Sequence, residues 1–131
     1  MGTQPHPLEG IAVLVVDDDP DARYLLQRLL GHLGAFVMTA ASVPDALSVL
    51  GRVRPDVVVT DILMPHHDGI ELMREIAQGP HDGLPVIALT AFSDVMGDEI
   101  AEAGFSAVLQ KPTDMWVLAG TIVRLVMKRG R

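Results

Sequence analysis

Residues 57–69 read VVVTDILMPHHDG, and Asp61 follows a continuous run of three valines and a threonine. An apolar β-branched run of this length is typical of a strand that a parallel sheet buries on both faces. A carboxylate beside such a strand is costly unless another group pairs with it. The stretch therefore predicts a buried central strand with a functional group at its carboxyl end.

The same alternation of strand and helix runs through the rest of the chain. Asp19 and Pro20 are typical of a helix N-cap and first helical position, and Gly34 of a helix end. Strands are predicted over residues 11–16, 36–40, 56–60, 86–89 and 106–109. Helices are predicted over residues 20–33, about 43–53 (with Val53 inward), 69–78, about 94–103 and 114–128.

Five β-α units of this length predict a parallel sheet with right-handed crossovers and helices on both faces. Rossmann-type and flavodoxin-like strand orders are the candidates. Five strands favour the flavodoxin-like (βα)5 doubly wound fold, with order 2-1-3-4-5. We expect one domain over residues 11–128, an N-terminal extension over 1–10 and a tail over 129–131.

Two helices carry informative apolar patterns. The first helix is predicted to bury one face, which consists of Ala22, Leu25, Leu26, Leu29, Leu30 and Leu33. The last is predicted to bury Met115, Leu118, Ala119, Ile122, Leu125 and Val126. Its second stripe, Trp116, Gly120, Val123 and Met127, is either covered by neighbouring elements or a partner face. A partner face there would serve a homodimer or a neighbouring domain.

Composition excludes several classes of function. The chain has 131 residues, a net charge of -7 and no cysteine. The acidic balance argues against general nucleic-acid binding, and the absence of cysteine excludes disulfides and thiolate sites. No apolar run approaches the ~20 residues of a membrane span, and the N-terminus does not resemble a signal peptide. We therefore expect no nucleic acid and no membrane partner, and a cytoplasmic location.

Charged and polar residues follow four strands that are consecutive in the predicted order. Asp17–Asp19 follow the first, Asp61 the third, Thr90 the fourth and Lys111 the fifth. Two like charges ~4 Å apart repel by roughly 4 kcal/mol at an effective dielectric of 20. A cluster of carboxylates therefore predicts a cation, and oxygen ligands favour Mg²⁺. A lysine and a hydroxyl beside it favour phosphoryl transfer to a carboxylate, with Asp61 as the nucleophile.

Four motifs carry a family resemblance: VLVVDDDP (13–20), VVVTDILMPHHDGIEL (57–72), VIALTA (86–91) and VLQKP (108–112). Together they resemble the receiver domain of two-component response regulators over about residues 11–127. The resemblance implies that Asp61 is the phosphoacceptor. It also implies that Asp17, Asp18, Asp61 and the backbone carbonyl of Leu63 bind Mg²⁺, with Asp18 a more direct ligand than Asp17.

The resemblance further implies that Thr90 and Lys111 contact the phosphoryl group, and the bond that corresponds to Lys111–Pro112 is often cis in this family. Val108 replaces the aromatic residue that often reports phosphorylation in this family, so that an aromatic switch is absent. Leu63 and Phe92 occupy positions that could shield the phosphoryl group from water. A slowly hydrolysing phosphoryl group is expected.

The expected partner is a histidine kinase or a histidine phosphotransfer protein, and the chain is not expected to act on an external substrate. It is read as a free-standing receiver or as one cut from a larger protein, such as a hybrid histidine kinase. One alternative is a Mg²⁺-dependent aspartyl-phosphate phosphatase, although Leu63 stands where such enzymes carry a second acid. The other is a pseudo-receiver that only binds partners. His66–His67 is interpreted as a solvated loop pair.

Overall fold

A computed structural model describes residues 6–62, 64, 68–91 and 97–129. Its strands are β1 (Ala12–Val16), β2 (Phe36–Ala40), β3 (Val57–Asp61), β4 (Val86–Thr90) and β5 (Ala107–Gln110). Its helices are α1 (Pro20–His32), α2 (Val43–Leu50), α3 (Gly69–Gln78), α4 (Gly97–Ala103) and α5 (Met115–Lys128). All strand pairs are parallel, in the order β2-β1-β3-β4-β5, which confirms the predicted flavodoxin-like fold.

Most predicted boundaries that fall on described residues agree with the structure to within one residue, and two differences affect the packing or the site. Helix α2 ends at Leu50, because Gly51 caps it and the chain then turns toward β3. Val53 is consequently exposed, and the prediction that it faces the core is wrong. Strand β3 includes Asp61, which pairs with Leu89 of β4. Residues 94–96 of the predicted fourth helix lie outside the described residues.

The strands bury both faces, with alternate residues contributing to opposite layers. On one face, Val13, Val15, Val57 and Val59 pack against α1 and α5. On the other face, Leu14, Val16, Val58 and Val86 pack against α2 and α3, and Ala88 packs with Ile100 of α4. Leu8, which precedes β1, is fully buried in the first layer and its N–H donates to the carbonyl of Leu33. The predicted N-terminal extension therefore contributes a core residue.

Helix α1 buries less of its apolar face than the sequence predicts. Leu30 and Leu33 are buried, but Leu25 is 57% exposed and Leu29 is 36% exposed. The prediction that these two leucines belong to the core is wrong, because α1 packs on the core through Leu26, Leu30 and Leu33. The first helix therefore presents apolar surface to solvent.

The buried face of α5 is confirmed, with Met115 packed at its edge. In the second stripe, Trp116 is 61% exposed and Met127 is 64% exposed, whereas Val123 packs against the core. The space beside Gly120 is open. The stripe is thus exposed at its two ends and joined to the core in between.

Gly69, at the start of α3, lies against the strand end that carries Asp61. Its N–H donates to the carbonyl of Ile62 at 2.8 Å. A Cβ atom at this position would lie 2.6 Å from the carbonyl oxygen of Asp61. Only a residue without a side chain allows the two backbones to approach this closely.

We predict that Gly69→Ala destabilises the protein by about 1–3 kcal/mol, because the added methyl group forces the Asp61 backbone to move. Gly120→Ala is the matched control, since its methyl group meets open space. It should stabilise the protein by about 0.5–1 kcal/mol, because alanine favours a helix interior. Urea unfolding followed by circular dichroism measures both. A Gly69→Ala variant as stable as the wild type would contradict the close approach.

Candidate functional site

The carboxyl ends of β1, β3 and β5 bring opposite charges together. Asp17, Asp18 and Asp61 each offer one carboxylate oxygen, and these oxygens lie within 4.8 Å of one another. The Lys111 Nζ atom lies 3.3 Å from Oδ2 of Asp61 and 3.8 Å from Oδ2 of Asp17. The fold therefore places three predicted acids and the predicted lysine in one cleft.

Asp17 is held on several sides. It is 2% exposed, and its N–H donates to the carbonyl of Ala40 at 3.1 Å. Its Oδ1 atom accepts from the N–H of Asp19 at 2.9 Å. Its backbone carbonyl accepts from Nη1 of Arg23 at 2.7 Å. These bonds fix the direction of a carboxylate that water barely reaches.

Asp61 is held mainly through its backbone. The hydroxyl of Thr60, which is buried, donates to the Asp61 carbonyl at 2.9 Å. The next residue, Ile62, donates its N–H to the carbonyl of Leu89 on β4. The Asp61 side chain itself is 14% exposed and therefore remains reachable from the cleft.

Thr90 and Lys111 are linked at the neighbouring strand ends. Thr90 is buried, and its carbonyl accepts from the N–H of Lys111 at 2.8 Å. The Lys111 side chain is one-third exposed, and the Lys111–Pro112 bond is cis, as expected. The two residues predicted to contact a phosphoryl group thus share a backbone hydrogen bond.

Asp19 has the structural role predicted for it. It is the N-cap of α1, and its side chain accepts from the N–H of Asp21 at 3.1 Å. Four other residues singled out in the sequence lie outside the described residues: Leu63, His66, His67 and Phe92. The expected Leu63 carbonyl ligand and the expected apolar shield therefore stay predictions.

Sequence reasoning missed two features next to the cleft. The first is Arg23, whose only sequence signal is its position in the first turns of α1. The second is an open trough of about 530 Å³, whose lining includes the charged residues Asp17 and Lys111 and the apolar residues Leu25, Leu29 and Met115. Helical periodicity alone does not indicate the trough, because it predicts that both leucines belong to the core. It extends the charged cleft into an apolar surface.

Burial raises the pKa of the Asp17 carboxyl above its usual value of 3.8. The charges of Asp61 and Asp18 act in the same direction, while the hydrogen bond from Asp19 and the charge of Lys111 oppose it. Carboxylate oxygens so close together match the hard ligands that Mg²⁺ prefers. The donor set therefore fits a divalent cation, whose binding would displace any proton that Asp17 holds.

We predict that Asp17→Asn raises the melting temperature of the metal-free protein at neutral pH. A raised pKa means that the folded state holds the Asp17 proton more tightly than the unfolded state. The resulting stability is complete below about pH 3.8 and is lost as the pH rises through the folded-state pKa. The advantage of Asp17→Asn should therefore shrink as the pH falls toward 3.8.

Melting curves in a chelator, taken from neutral pH downward, measure this dependence. Asp21→Asn is the matched control, because it removes the same charge from an exposed position on α1. A variant at Asp17 that is less stable than the wild type at neutral pH would contradict the prediction.

Within the described ranges, the structure contains no helix long and apolar enough to cross a membrane.

The family model for the response regulator receiver domain matches residues 13–122. An uncharacterised 14.6 kDa protein of Leptolyngbya boryana is 43% identical over 109 residues, which cover 82% of this chain and 83% of that protein. The chain spans about half the length of other curated regulators that it matches, 52% and 45% in two cases.

Solved structures agree with the family model. The receiver domain of a histidine kinase from Syntrophus aciditrophicus superposes with a TM-score of 0.86 at 30% identity, covering 91% of this chain and 92% of that one. The receiver domain of a sensor histidine kinase from Pseudomonas aeruginosa has a TM-score of 0.84 at 28% identity, covering 90% and 98%. That structure has a magnesium ion coordinated in its active site cleft. With the match over residues 13–122, the chain belongs to the response regulator receiver domain family of two-component signal transduction.

Proposed function

We propose that Asp61 accepts a phosphoryl group from a phosphohistidine on a histidine kinase or phosphotransfer protein, in a Mg²⁺-dependent reaction. The observation that carries this proposal is the 3.3 Å contact between Lys111 Nζ and Asp61 Oδ2, with Asp17 and Asp18 beside it. An acid that is reachable and electrostatically compensated can act as a nucleophile. The protein then modifies itself and does not turn over an external substrate.

The proposed phosphoryl transfer is a displacement at phosphorus. A carboxylate oxygen of Asp61 attacks phosphorus, and the phosphorus–nitrogen bond of the phosphohistidine breaks. The electron pair of that bond stays on the imidazole nitrogen, and the product on Asp61 is an acyl phosphate. A magnesium ion held by Asp17, Asp18 and Asp61, with the Leu63 carbonyl as a further proposed ligand, would neutralise charge on the phosphoryl oxygens.

Lys111 and Thr90 are proposed to bind the phosphoryl oxygens once they arrive. Lys111 would move its ammonium from the Asp61 carboxylate to the phosphoryl group as a point charge. Thr90 would contribute its hydroxyl from the adjacent strand end. Since the N–H of Lys111 is bonded to the carbonyl of Thr90, the two would respond together.

We predict that Asp61→Asn abolishes phosphoryl incorporation from acetyl phosphate, because an amide does not attack phosphorus. Wild-type labelling should require Mg²⁺ and should be lost on addition of a chelator. Intact-mass spectrometry measures the incorporation. Asp21→Asn serves as the charge-matched control and should label like the wild type.

The same assay separates the alternatives. A pseudo-receiver would leave the wild type unlabelled with or without Mg²⁺. A phosphatase would release inorganic phosphate from phosphomonoesters with many turnovers per chain. Equal labelling of the wild type and Asp61→Asn would instead refute Asp61 as the acceptor.

The trough beside α1 supports the choice of a protein as phosphodonor. A phosphohistidine must reach Asp61 from outside the carboxyl edge, so its protein must lie on the neighbouring surface. Leu25 and Leu29 line the same trough as Asp17 and Lys111. On the same helix, Arg28 donates to the Tyr24 hydroxyl at 3.0 Å. An apolar centre with a polar rim is typical of a protein contact surface.

We predict that Leu25→Asp slows transfer from a phosphorylated donor protein by about tenfold or more, as expected for the loss of an exposed apolar side chain that the docked donor would bury. The donor is the autophosphorylated kinase or phosphotransfer domain that labels the wild type fastest. Labelling by acetyl phosphate should not change, because the cleft itself is intact. Val53→Asp, which places the same charge at an exposed site after α2, is the control. Equal slowing with both donors would contradict a docking role.

Signalling through altered protein contacts is also part of the proposal. Trp116 and Met127 are exposed on α5, which supports a second contact face for a homodimer or a neighbouring domain. Val123 would connect that face to the core, against which it packs. With Val108 in place of an aromatic reporter, the response would pass through Thr90 and the loop after β4.

A further inference from the structure

Arg23 lies in α1, and its side chain reaches back to the end of β1. Its Nη1 atom donates to the carbonyl of Asp17 at 2.7 Å, and its N–H donates to the carbonyl of Asp19 at 3.0 Å. The residue is half-buried. Among the described residues, no carboxylate lies within ion-pairing distance of the guanidinium, so its partner is the backbone.

The carbonyl of Asp17 needs this partner because the strand ladder ends beside it. The β1–β2 register ends at Val16 and Ala40, and the N–H of Asp17 makes the last bond, to Ala40. The Asp17 carbonyl lies one step further, where β2 has already turned away. A buried carbonyl without a donor is unfavourable, and Arg23 supplies the donor.

The bond from Arg23 fixes the peptide plane that joins Asp17 to Asp18. Asp17 is then held at its N–H, its carbonyl and its carboxylate. Asp18 is exposed, and none of the hydrogen bonds of the described residues involves its side chain. The position of the Asp18 carboxylate in the cluster therefore depends on the direction of the backbone that carries it.

We propose that Arg23 is a positioning residue for the magnesium site. Its hydrogen bond to the Asp17 carbonyl orients the 17–18 peptide and thereby directs the Asp18 carboxylate toward Asp17 and Asp61. This inference rests on the proposed function only for the identity of the metal. Arg23 touches neither metal nor phosphoryl group, and it acts through the two acids.

The positive charge of Arg23 and its hydrogen bond to the Asp17 carbonyl should have opposite effects on the affinity for Mg²⁺. A guanidinium near three carboxylates competes electrostatically with a cation, so its removal alone would tighten Mg²⁺ binding. Loss of the hydrogen bond would free the 17–18 peptide, which orients the Asp18 carboxylate, and would therefore weaken Mg²⁺ binding. Partners that orient metal ligands contribute about 10–100-fold in affinity. The sign of the change therefore distinguishes the two roles.

The experiment measures the Mg²⁺ dissociation constant of the full chain from amide chemical shifts, without a phosphodonor. Arg23→Met keeps much of the aliphatic stem and removes both charge and donor. We expect binding to weaken by about tenfold or more. Arg23→Lys restores a charged donor and should bind closer to the wild type. Arg28→Met removes the same charge from the exposed Tyr24 contact and should change the constant by less than twofold or tighten it slightly.

Unchanged or tighter binding in Arg23→Met, or equal weakening in Arg28→Met, would overturn the proposal. So would an Arg23→Lys variant as weak as Arg23→Met. If Arg23→Met does not fold, Arg23→Gln, which is too short to span the same distance, is held to the same criterion. A merely structural role would lower the urea midpoint in a chelator and leave the affinity of the folded protein unchanged. A wild type that binds no Mg²⁺ would refute the metal site itself, whether or not Asp61 is phosphorylated.

Discussion

The placement of an ammonium group between two carboxylates is the constraint on which the site depends. Asp17 is buried and Asp61 nearly so, and burial of like charges is unfavourable unless a cation compensates them. Lys111 supplies that compensation within the chain, at 3.3 Å and 3.8 Å. Because Lys111 follows β5 while the acids lie at the ends of β1 and β3, the contact requires strands β1, β3, β4 and β5 to be in place. The electrostatics of the cleft thus depend on the whole topology.

The backbone around the cleft is held in place by several hydrogen bonds and by one close backbone contact. The Thr60 hydroxyl and the close approach of Gly69 fix the carbonyl of Asp61. Arg23 and Ala40 fix the two sides of Asp17. Chemically active side chains are precise only when the groups that carry them are held in turn. Here hydrogen bonds at the strand ends provide that support, at points where the sheet ladder no longer does.

Much of the fold could be predicted from the sequence because its signals are local. The β-branched runs give the strands, Asp19 and Pro20 give the start of α1, and the four strand ends follow from the sheet order. The cis bond at Pro112 was expected from the family resemblance alone. The roles of Asp61, Thr90 and Lys111 in phosphoryl transfer remain proposals. The distances between these residues are compatible with the reaction, but a distance does not measure a reaction.

The errors have a common physical origin in the packing between elements. Helical periodicity places Leu25, Leu29 and Leu30 on one face, but it does not say how far a helix is rolled on its sheet. Val53 was misplaced because Gly51 ends α2 earlier than its apolar pattern suggests. Arg23 was missed since its partner is a backbone carbonyl, and the sequence carries no mark of which carbonyls a sheet leaves unpaired. Such features depend on three-dimensional placement.

The two leucines outside the core also bear on how this protein could diverge. Side chains that contribute little to the stability of the free chain can be replaced without endangering its folding. Leu30, which directly follows Leu29 in the chain and is fully buried, does not have this freedom. On α1, substitutions that alter the outer surface are therefore separable from those that alter the fold. Duplicated copies of such a chain could acquire different partners while keeping the same cleft and the same chemistry.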